Sequence, residues 1–251
     1  MRISFPRTED IPKLKELWKE AFGDTDSFID LFFSIAYSPD RCRCSFDGDI
    51  PVSVLYWFDS TCRGEKIAYI YAVATRKEYR GRGHSSSLIK DTHDLLRSEG
   101  YVGALLVPVN EGLVDFYSRL GYERRTTVKE LEALPYGDAF IREIDSLEYA
   151  NLRRGYLPEG SVIQEGISLE FLSKQLKFYT GDGFLLAAGI HRGVLEAKEF
   201  LGEVTLTPAI VNSLGCKKGI FRTVGDGRDY SMFIGLTENA TPPEYFGFAF
   251  D

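Results

Sequence analysis

The sequence predicts a mixed α/β (α+β) fold in two successive halves, residues 1–134 and 135–251. Three observations carry this reading. The apolar run at 67–74, Ile-Ala-Tyr-Ile-Tyr-Ala-Val-Ala, reads as a central strand buried on both faces. Across a glycine-rich loop it is followed by apolar residues at helical spacing in 85–99. Near Leu134-Pro135-Tyr136-Gly137 the order of elements starts again, helices first and then strands around one helix, without a visible sequence repeat.

Thr8-Glu-Asp-Ile-Pro12 reads as a helix start, with Thr8 as cap, Pro12 in the first turn and Leu14, Leu17, Trp18 and Phe22 on the buried face. Gly23 ends that helix. Asp26 or Ser27 caps a second, strongly aromatic helix over 28–37. Strands follow at 41–46, 51–59 and 65–75, broken at Asp47-Gly48 and at Cys62-Arg63-Gly64. The 85–99 helix carries Leu88, Ile89, Leu95 and Leu96 inward, with His93 read as a surface residue and Gly100 as its end. A strand at 101–107, a short helix at 113–120 closed by Gly121, and a strand at 123–132 complete this half. In the second half, helices are expected at 142–153, 168–178 and 207–214. Strands there are expected at 184–190, 193–200, 219–224, 230–236 and 245–250. Gly-Asp-Gly occurs at 181–183 and again at 225–227, and both read as hairpin-type turns.

Composition narrows the function classes. A hydrophobic fraction of 44% with 27% charged residues is that of a soluble globular protein. The net charge of −7 argues against a nucleic-acid partner, which would demand a broad basic face, and leaves room for one local basic site. The first residues hold no apolar core of signal-peptide length, and stretches such as Val102-Gly-Ala-Leu-Leu-Val-Pro-Val are too short to cross a bilayer. A cytoplasmic enzyme or binding protein without membrane partners is expected. Cys42, Cys44, Cys62 and Cys216 fit no zinc spacing, so no metal site is expected and buried free thiols are.

The stretch Tyr79-Arg-Gly-Arg-Gly-His-Ser-Ser-Ser-Leu88 lies between the buried strand and the long helix. A helix start leaves four backbone N–H groups without partners and carries about +0.5 charge. Glycines let an anion approach that backbone, and arginines add charge-assisted hydrogen bonds. A Walker loop would need Lys-Ser/Thr after its glycines, where His84-Ser85 stands here. A dinucleotide fingerprint would need three glycines at other offsets. Arg76 and Lys77 read as a solvated turn.

The arrangement Arg80-x-x-Gly83-x-Ser85 after a strand and opening a helix resembles motif A of the GNAT superfamily of acyl-CoA-dependent N-acyltransferases. The lead-in Ala72-Val-Ala-Thr-Arg-Lys-Glu-Tyr-Arg-Gly-Arg-Gly83 is similar to many members, although Ser85 replaces the usual last glycine or alanine. Asn110 followed by Phe116-Tyr117-Ser-Arg-Leu-Gly121-Tyr122 resembles a second segment of that family. The resemblance covers residues 1–134 and implies a mixed, mostly antiparallel sheet with a central parallel splay. Over 135–251 it is an echo, which implies a smaller, degenerate GNAT-like α/β half, a lid or wall with Phe178, Tyr179 and Phe221 shaping an acceptor pocket.

The resemblance further implies acetyl-CoA as cosubstrate, held in the splay between the strands at 65–75 and 101–107. Backbone groups of Val73, Ala74 and Thr75 would hold the pantetheine arm as an added strand does. The amides of Arg80, Gly81, Arg82, Gly83, His84 and Ser85 would hold the pyrophosphate, with one added contact from the Ser85 hydroxyl. Asn110 would orient the cofactor or cap the short helix. Direct attack of an amine on the thioester needs a base and an acid, and Tyr117 matches the family's tyrosine acid. The strand before the loop offers no carboxylate between Lys66 and Arg76, only Tyr69 and Tyr71. A tyrosine is a poor base near neutral pH, so water relayed through carbonyls is an equal candidate, with Glu111, Asp24, Asp26 and Asp251 behind it. His84 reads as facing phosphate or solvent.

The function expected first is N-acetyl transfer to a small-molecule or peptide amine. A non-catalytic acyl-CoA sensor is the alternative. A tandem transferase moving aminoacyl groups onto cell-wall peptides would require a basic surface that the charge of −7 opposes. The acceptor amine, the acyl length and the oligomeric state are not legible.

Overall fold

A computed structural model of the protein describes residues 1–250. The chain folds as two compact units, the first made of Met1–Glu123 with Phe233–Pro242, the second of Arg124–Met232 with the chain from Pro243 onward.

The first unit runs β1 (Arg2–Ser4), α1 (Ile11–Phe22), α2 (Asp26–Ile35), β2 (Cys42–Asp47), β3 (Ile50–Cys62), β4 (Glu65–Thr75), α3 (His84–Ser98), β5 (Tyr101–Leu106) and α4 (Glu111–Ser118). Its strands lie side by side in the order β1-β2-β3-β4-β5. The first three pairings are antiparallel and β4/β5 is parallel. The returning segment lies along β5, where the Leu236 amide donates to the Val102 carbonyl at 2.8 Å. Gly103 permits that approach, because a Cβ there would stand 2.3 Å from the Phe233 ring.

Pro12 in the first turn and Gly23 at φ 74° bound α1. Leu14, Leu17 and Trp18 are buried as the spacing requires. Three local expectations need correction. Thr8 sits in a short 3-10 turn, and the buried Asp10 carboxylate accepts the Arg7 amide at 2.8 Å instead. Phe22 is 45% exposed, one edge against Trp18. Thr25, not Asp26 or Ser27, caps α2 by accepting the Phe28 amide at 3.3 Å.

Aromatic rings join the helices to the sheet. Trp18 lies 4.6 Å from Phe32, 5.4 Å from Tyr56 and 5.8 Å from Tyr71 between ring centroids. Such pairs add about 0.5–1.5 kcal/mol each beyond their buried area. Cys42, Cys44 and Cys62 are buried free thiols here, as Cys216 is in the second unit. On the other face, α3 buries Leu88, Ile89 and Leu96, while Leu95 is half-buried. His93 is buried, not on the surface, and its Nε2 meets the Tyr122 hydroxyl at 2.9 Å. Burial first, then the Arg97 charge, pushes its pKa down to about 4 against a smaller opposing effect of Asp94.

The second unit runs β6 (Glu123–Ala133), β7 (Arg142–Ile144), α5 (Ser146–Tyr156), α6 (Ile167–Ser173), β8 (Lys177–Gly181), β9 (Phe184–His191), β10 (Val194–Gly202), α7 (Thr207–Ser213) and β11 (Lys218–Gly235). The expected helix at 142–153 is a strand followed by a helix capped by Asp145, which accepts the Glu148 amide at 2.8 Å. The expected helix at 168–178 likewise stops at Ser173, and Lys177 starts a strand. The strands expected at 219–224 and 230–236 are one strand, β11. Gly225-Asp-Gly227 lies inside it because β6 passes close, and a Cβ at Gly227 would be 2.4 Å from the Val128 carbonyl oxygen. Residues 245–250 form no strand, only a bridge from Tyr245 to Ser161. Phe178, Tyr179 and Phe221 are buried core residues of this unit.

His93 gives stability a pH dependence with a defined sign. Its folded pKa lies below the unfolded value of 6.5, so the unfolded chain takes up the proton first as pH falls. This contribution is constant above 6.5 and is lost progressively between 6.5 and about 4. Going from pH 7 to 5.5 should cost about 1 kcal/mol through this residue. Urea unfolding of wild type and His93→Gln at the two pH values checks it, and equal losses in both proteins would refute the assignment.

Candidate active site

The site is built where β4 leaves its neighbours. Parallel pairing of β4 with β5 ends at Tyr69↔Leu105. Against β3, Tyr71 faces Tyr56 and Ala74 faces Val54, so β4 spends three steps where β3 spends two. The extra residue is a bulge, and within it Ala72 adopts φ +49°. A left-handed alanine costs about 1–3 kcal/mol and persists only where the surroundings fix it. Tyr71, Ala72 and Val73 are half-buried, while 67–70 before them and Ala74 and Thr75 after them are buried. The opening is confined to the parting of the strands.

Hydroxyl groups close the far end of that opening. Ser53 Oγ donates to the Ala74 carbonyl at 2.9 Å and lies 2.8 Å from Thr75 Oγ1, which lies 2.6 Å from Ser85 Oγ. A hydroxyl has one proton, so the direction is fixed. Ser53 donates to the carbonyl, Thr75 donates to Ser53, and Ser85 donates to Thr75. The Ser85 hydroxyl therefore holds α3 to the end of β4. The Thr75 carbonyl accepts Arg80 Nε at 2.9 Å, which fixes the arginine at its base and leaves its terminal nitrogens free.

Gly81 and Gly83 turn the loop with φ +74° and +81°, and α3 begins at His84 without a side-chain cap. Among the described residues, no protein acceptor takes up the backbone amides of residues 81–86; the first amide to be used is that of Ser87, donated to the Gly83 carbonyl at 3.0 Å. In front of them lies a cavity of about 360 Å³ lined by Thr75, Tyr79, Arg80, Gly81, Gly83, His84, Ser85, Ser86, Phe116 and Arg119. No lining residue is acidic. Free amides, a helix start and cations without carboxylates make an anion site.

The other cations divide by partner. Arg76 is no solvated turn residue: it donates to the Pro51 carbonyl at 3.0 Å and pairs with Glu20 at 3.5 Å, its side chain 15% exposed. The Lys77 amide donates to Glu20 Oε1 at 2.6 Å. Arg82 lies over the Tyr79 ring at 5.6 Å and does not line the cavity.

Asn110 caps α4, its side-chain oxygen accepting the Leu113 amide at 3.0 Å. Tyr117 on that helix is 7% exposed, packed edge-on against Phe116 at 5.1 Å and Tyr122 at 5.7 Å. Burial alone pushes its phenol pKa up, and among the described residues its hydroxyl has no hydrogen-bond partner. Tyr69 is buried beside Phe58, and Tyr71 packs among Trp18, Phe32 and Phe58. Asp24 accepts Trp18 Nε1 at 2.8 Å, and Asp26 pairs with Lys19 at 2.6 Å. Glu111 is exposed in the first turn of α4, and Asp251 lies outside the described residues. None of these acids lines the cavity.

Sequence reasoning missed Ser53 and Arg119. A serine inside the apolar run Val52-Ser-Val-Leu was a signal, because a buried hydroxyl in a strand demands a partner. Arg119 was the sole cation of its motif.

A parallel strand pair that parts beside a glycine loop and an uncapped helix start is the arrangement the sequence resemblance implied. Residues 2–125 match the family model of the acetyltransferase (GNAT) domain, and that part of the chain is a GNAT domain. Solved structures share the fold over most of the chain. A GCN5-related N-acetyltransferase from Kribbella flavida is 15% identical with TM-score 0.71, covering 92% of this chain and 70% of its own. Another from Anabaena variabilis is 13% identical with TM-score 0.74, covering 94% and 73%. Eis1 from Mycobacterium abscessus is 12% identical with TM-score 0.69, covering 94% and 74%. No curated protein matches the sequence.

The hydroxyl chain predicts a stability loss at a residue remote from the cavity lining. Ser53→Ala removes the buried link between the Ala74 carbonyl and the Thr75 hydroxyl and should cost about 1–3 kcal/mol. Ser85→Ala removes only the outer, half-exposed link and should cost less. Chemical denaturation of the two variants would contradict the chain if Ser85→Ala proved the more damaging.

Proposed function

We propose that the protein transfers an acetyl group from acetyl-CoA to a primary amine of a small molecule or peptide. The observation that carries this reading is the acid-free cavity before the unused amides of residues 81–86, set at the parting of β4 and β5 in a GNAT domain. A diphosphate supplies the acceptors those amides lack, so the residues present fit the ligand. The pantetheine arm would run along the edge of β4 at 71–75 that β5 leaves unpaired. Ala72 lies in that stretch with φ +49°, off the regular strand conformation.

In the transfer the amine nitrogen bonds to the thioester carbonyl carbon, the carbon–sulfur bond breaks, and the amine loses a proton while the thiolate gains one. Tyr117 holds a proton for that thiolate, and its burial keeps the phenol protonated at neutral pH. In this reading the amine proton leaves through water relayed by backbone carbonyls, and kcat/KM should climb with pH until the acceptor amine itself is neutral.

A non-catalytic acyl-CoA sensor is the second reading, favoured by the burial of Tyr117 at 7% exposure. Thermal melting with acetyl-CoA, with CoA and with neither tests ligand binding in both. At about 100 times its Kd the ligand adds roughly 2.7 kcal/mol, or about 5–10 °C. Gly83→Glu, which places a side chain and a negative charge at φ +81°, should abolish the rise in a folded protein. Turnover on an amine panel that falls at least tenfold in Tyr117→Phe supports the transferase, and binding with no turnover on any amine leaves the sensor.

A further inference from the structure

The inference rests on the acyl-CoA reading of the cavity and assigns a residue to it. We propose that Arg119 is the second cation of the diphosphate site, reaching the ligand from α4 while the loop amides and Arg80 serve it from α3. Arg119 lines the cavity, is exposed, and has no side-chain hydrogen bond or ion pair among the described residues. Other arginines of this unit are engaged: Arg41 by Asp59, Arg43 by Asp91, Arg76 by Glu20 and Arg97 by Asp94. A chain with 37 acidic and 30 basic residues has carboxylates to spare, yet none stands in this cavity. Two guanidinium groups around one acid-free cavity repel each other until an anion lies between them.

The chemistry of the ligand fits that gap. A diphosphate presents adjacent oxygens on two phosphorus atoms, which a planar guanidinium can meet with two parallel N–H groups. Arg82, the neighbouring cation expected from the sequence, lies over the Tyr79 ring and does not itself line the cavity. Without Arg119 the charge of a diphosphate would be met by Arg80 alone. With it, the site prefers donors carrying a diphosphate over those carrying a single phosphate.

Isothermal titration of the full chain with CoA and with dephospho-CoA tests this, since the two share the diphosphate and differ in the 3′-phosphate. In Arg119→Gln the Kd should rise about tenfold for both ligands. Arg119→Lys keeps the charge and loses the fork, and should weaken both about threefold. A loss confined to CoA would give Arg119 to the 3′-phosphate and overturn the assignment, as would no loss for either ligand. If Arg119→Gln melts well below wild type without ligand, the Lys variant carries the decision alone: about threefold for both ligands upholds the proposal and no change ends it. A wild-type protein that binds neither ligand would remove the acyl-CoA reading itself, a result distinct from unchanged binding by the variants.

Discussion

Strand β4 cannot follow both of its neighbours past Tyr69, and the rest of the site depends on that constraint. It stays with β3 by inserting one extra residue, and it parts from β5. The left-handed Ala72 is the local cost of about 1–3 kcal/mol. What holds it is the packing on either side: Tyr71 locked among aromatic rings before the bulge, and Ala74 and Thr75 tied by hydroxyl bonds after it. The bulge is thus clamped from both ends, and the unpaired edge between the clamps stays open to a ligand.

Charge in this protein is legible only through partners. The chain is acidic overall at −7, yet it contains a cavity with two arginines and no carboxylate. Four cations stand in sequence at Arg76, Lys77, Arg80 and Arg82, and the fold sends them to different tasks. Arg76 fastens the end of β4 to β3 and to the acids of α1. Arg82 covers a tyrosine ring. Arg80 alone remains in the cavity, fixed at its base by the Thr75 carbonyl, and the second cation comes from 39 residues further along the chain, from Arg80 to Arg119.

The elements that could be read from sequence are those with local causes. The β4 run is apolar throughout because both its faces are covered, and α3 is bounded by a glycine with positive φ and a spacing that buries Leu88, Ile89 and Leu96. Caps were less legible: Thr25 lost to Asp26 on paper because both residues are good caps and only the backbone angles decide. His93 was misread because its partner, Tyr122, is 29 residues away, and nothing local marks a helix histidine as buried. The short strands of the second unit were hidden by their flanking helices, and Gly225-Asp-Gly227 looked like a turn because close strand approach and tight turning both call for glycine. Of the site, the loop amides followed from motif and context, whereas the hydroxyl chain required three residues from separate elements.

The second unit shows what the parting of strands needs in order to become a site. There β10 and β11 are also parallel, joined through α7, and β10 also carries an irregularity, between Ala197 and Phe200. Pairing nevertheless resumes at Phe200↔Thr223. The residue at the irregularity, Glu199, is fully buried and held by Arg153 at 2.6 Å and by the Tyr149 hydroxyl at 2.8 Å. Removing two charges from water is expensive, and such a pair is tolerated only when its hydrogen bonds are complete. Here Arg153 and Tyr149 supply them from within the unit. In the first unit the corresponding gap adjoins amides that no group among the described residues satisfies. The two irregularities thus differ in their polar groups: the Glu199 carboxylate is satisfied by the chain, whereas the amides beside the β4/β5 parting are not.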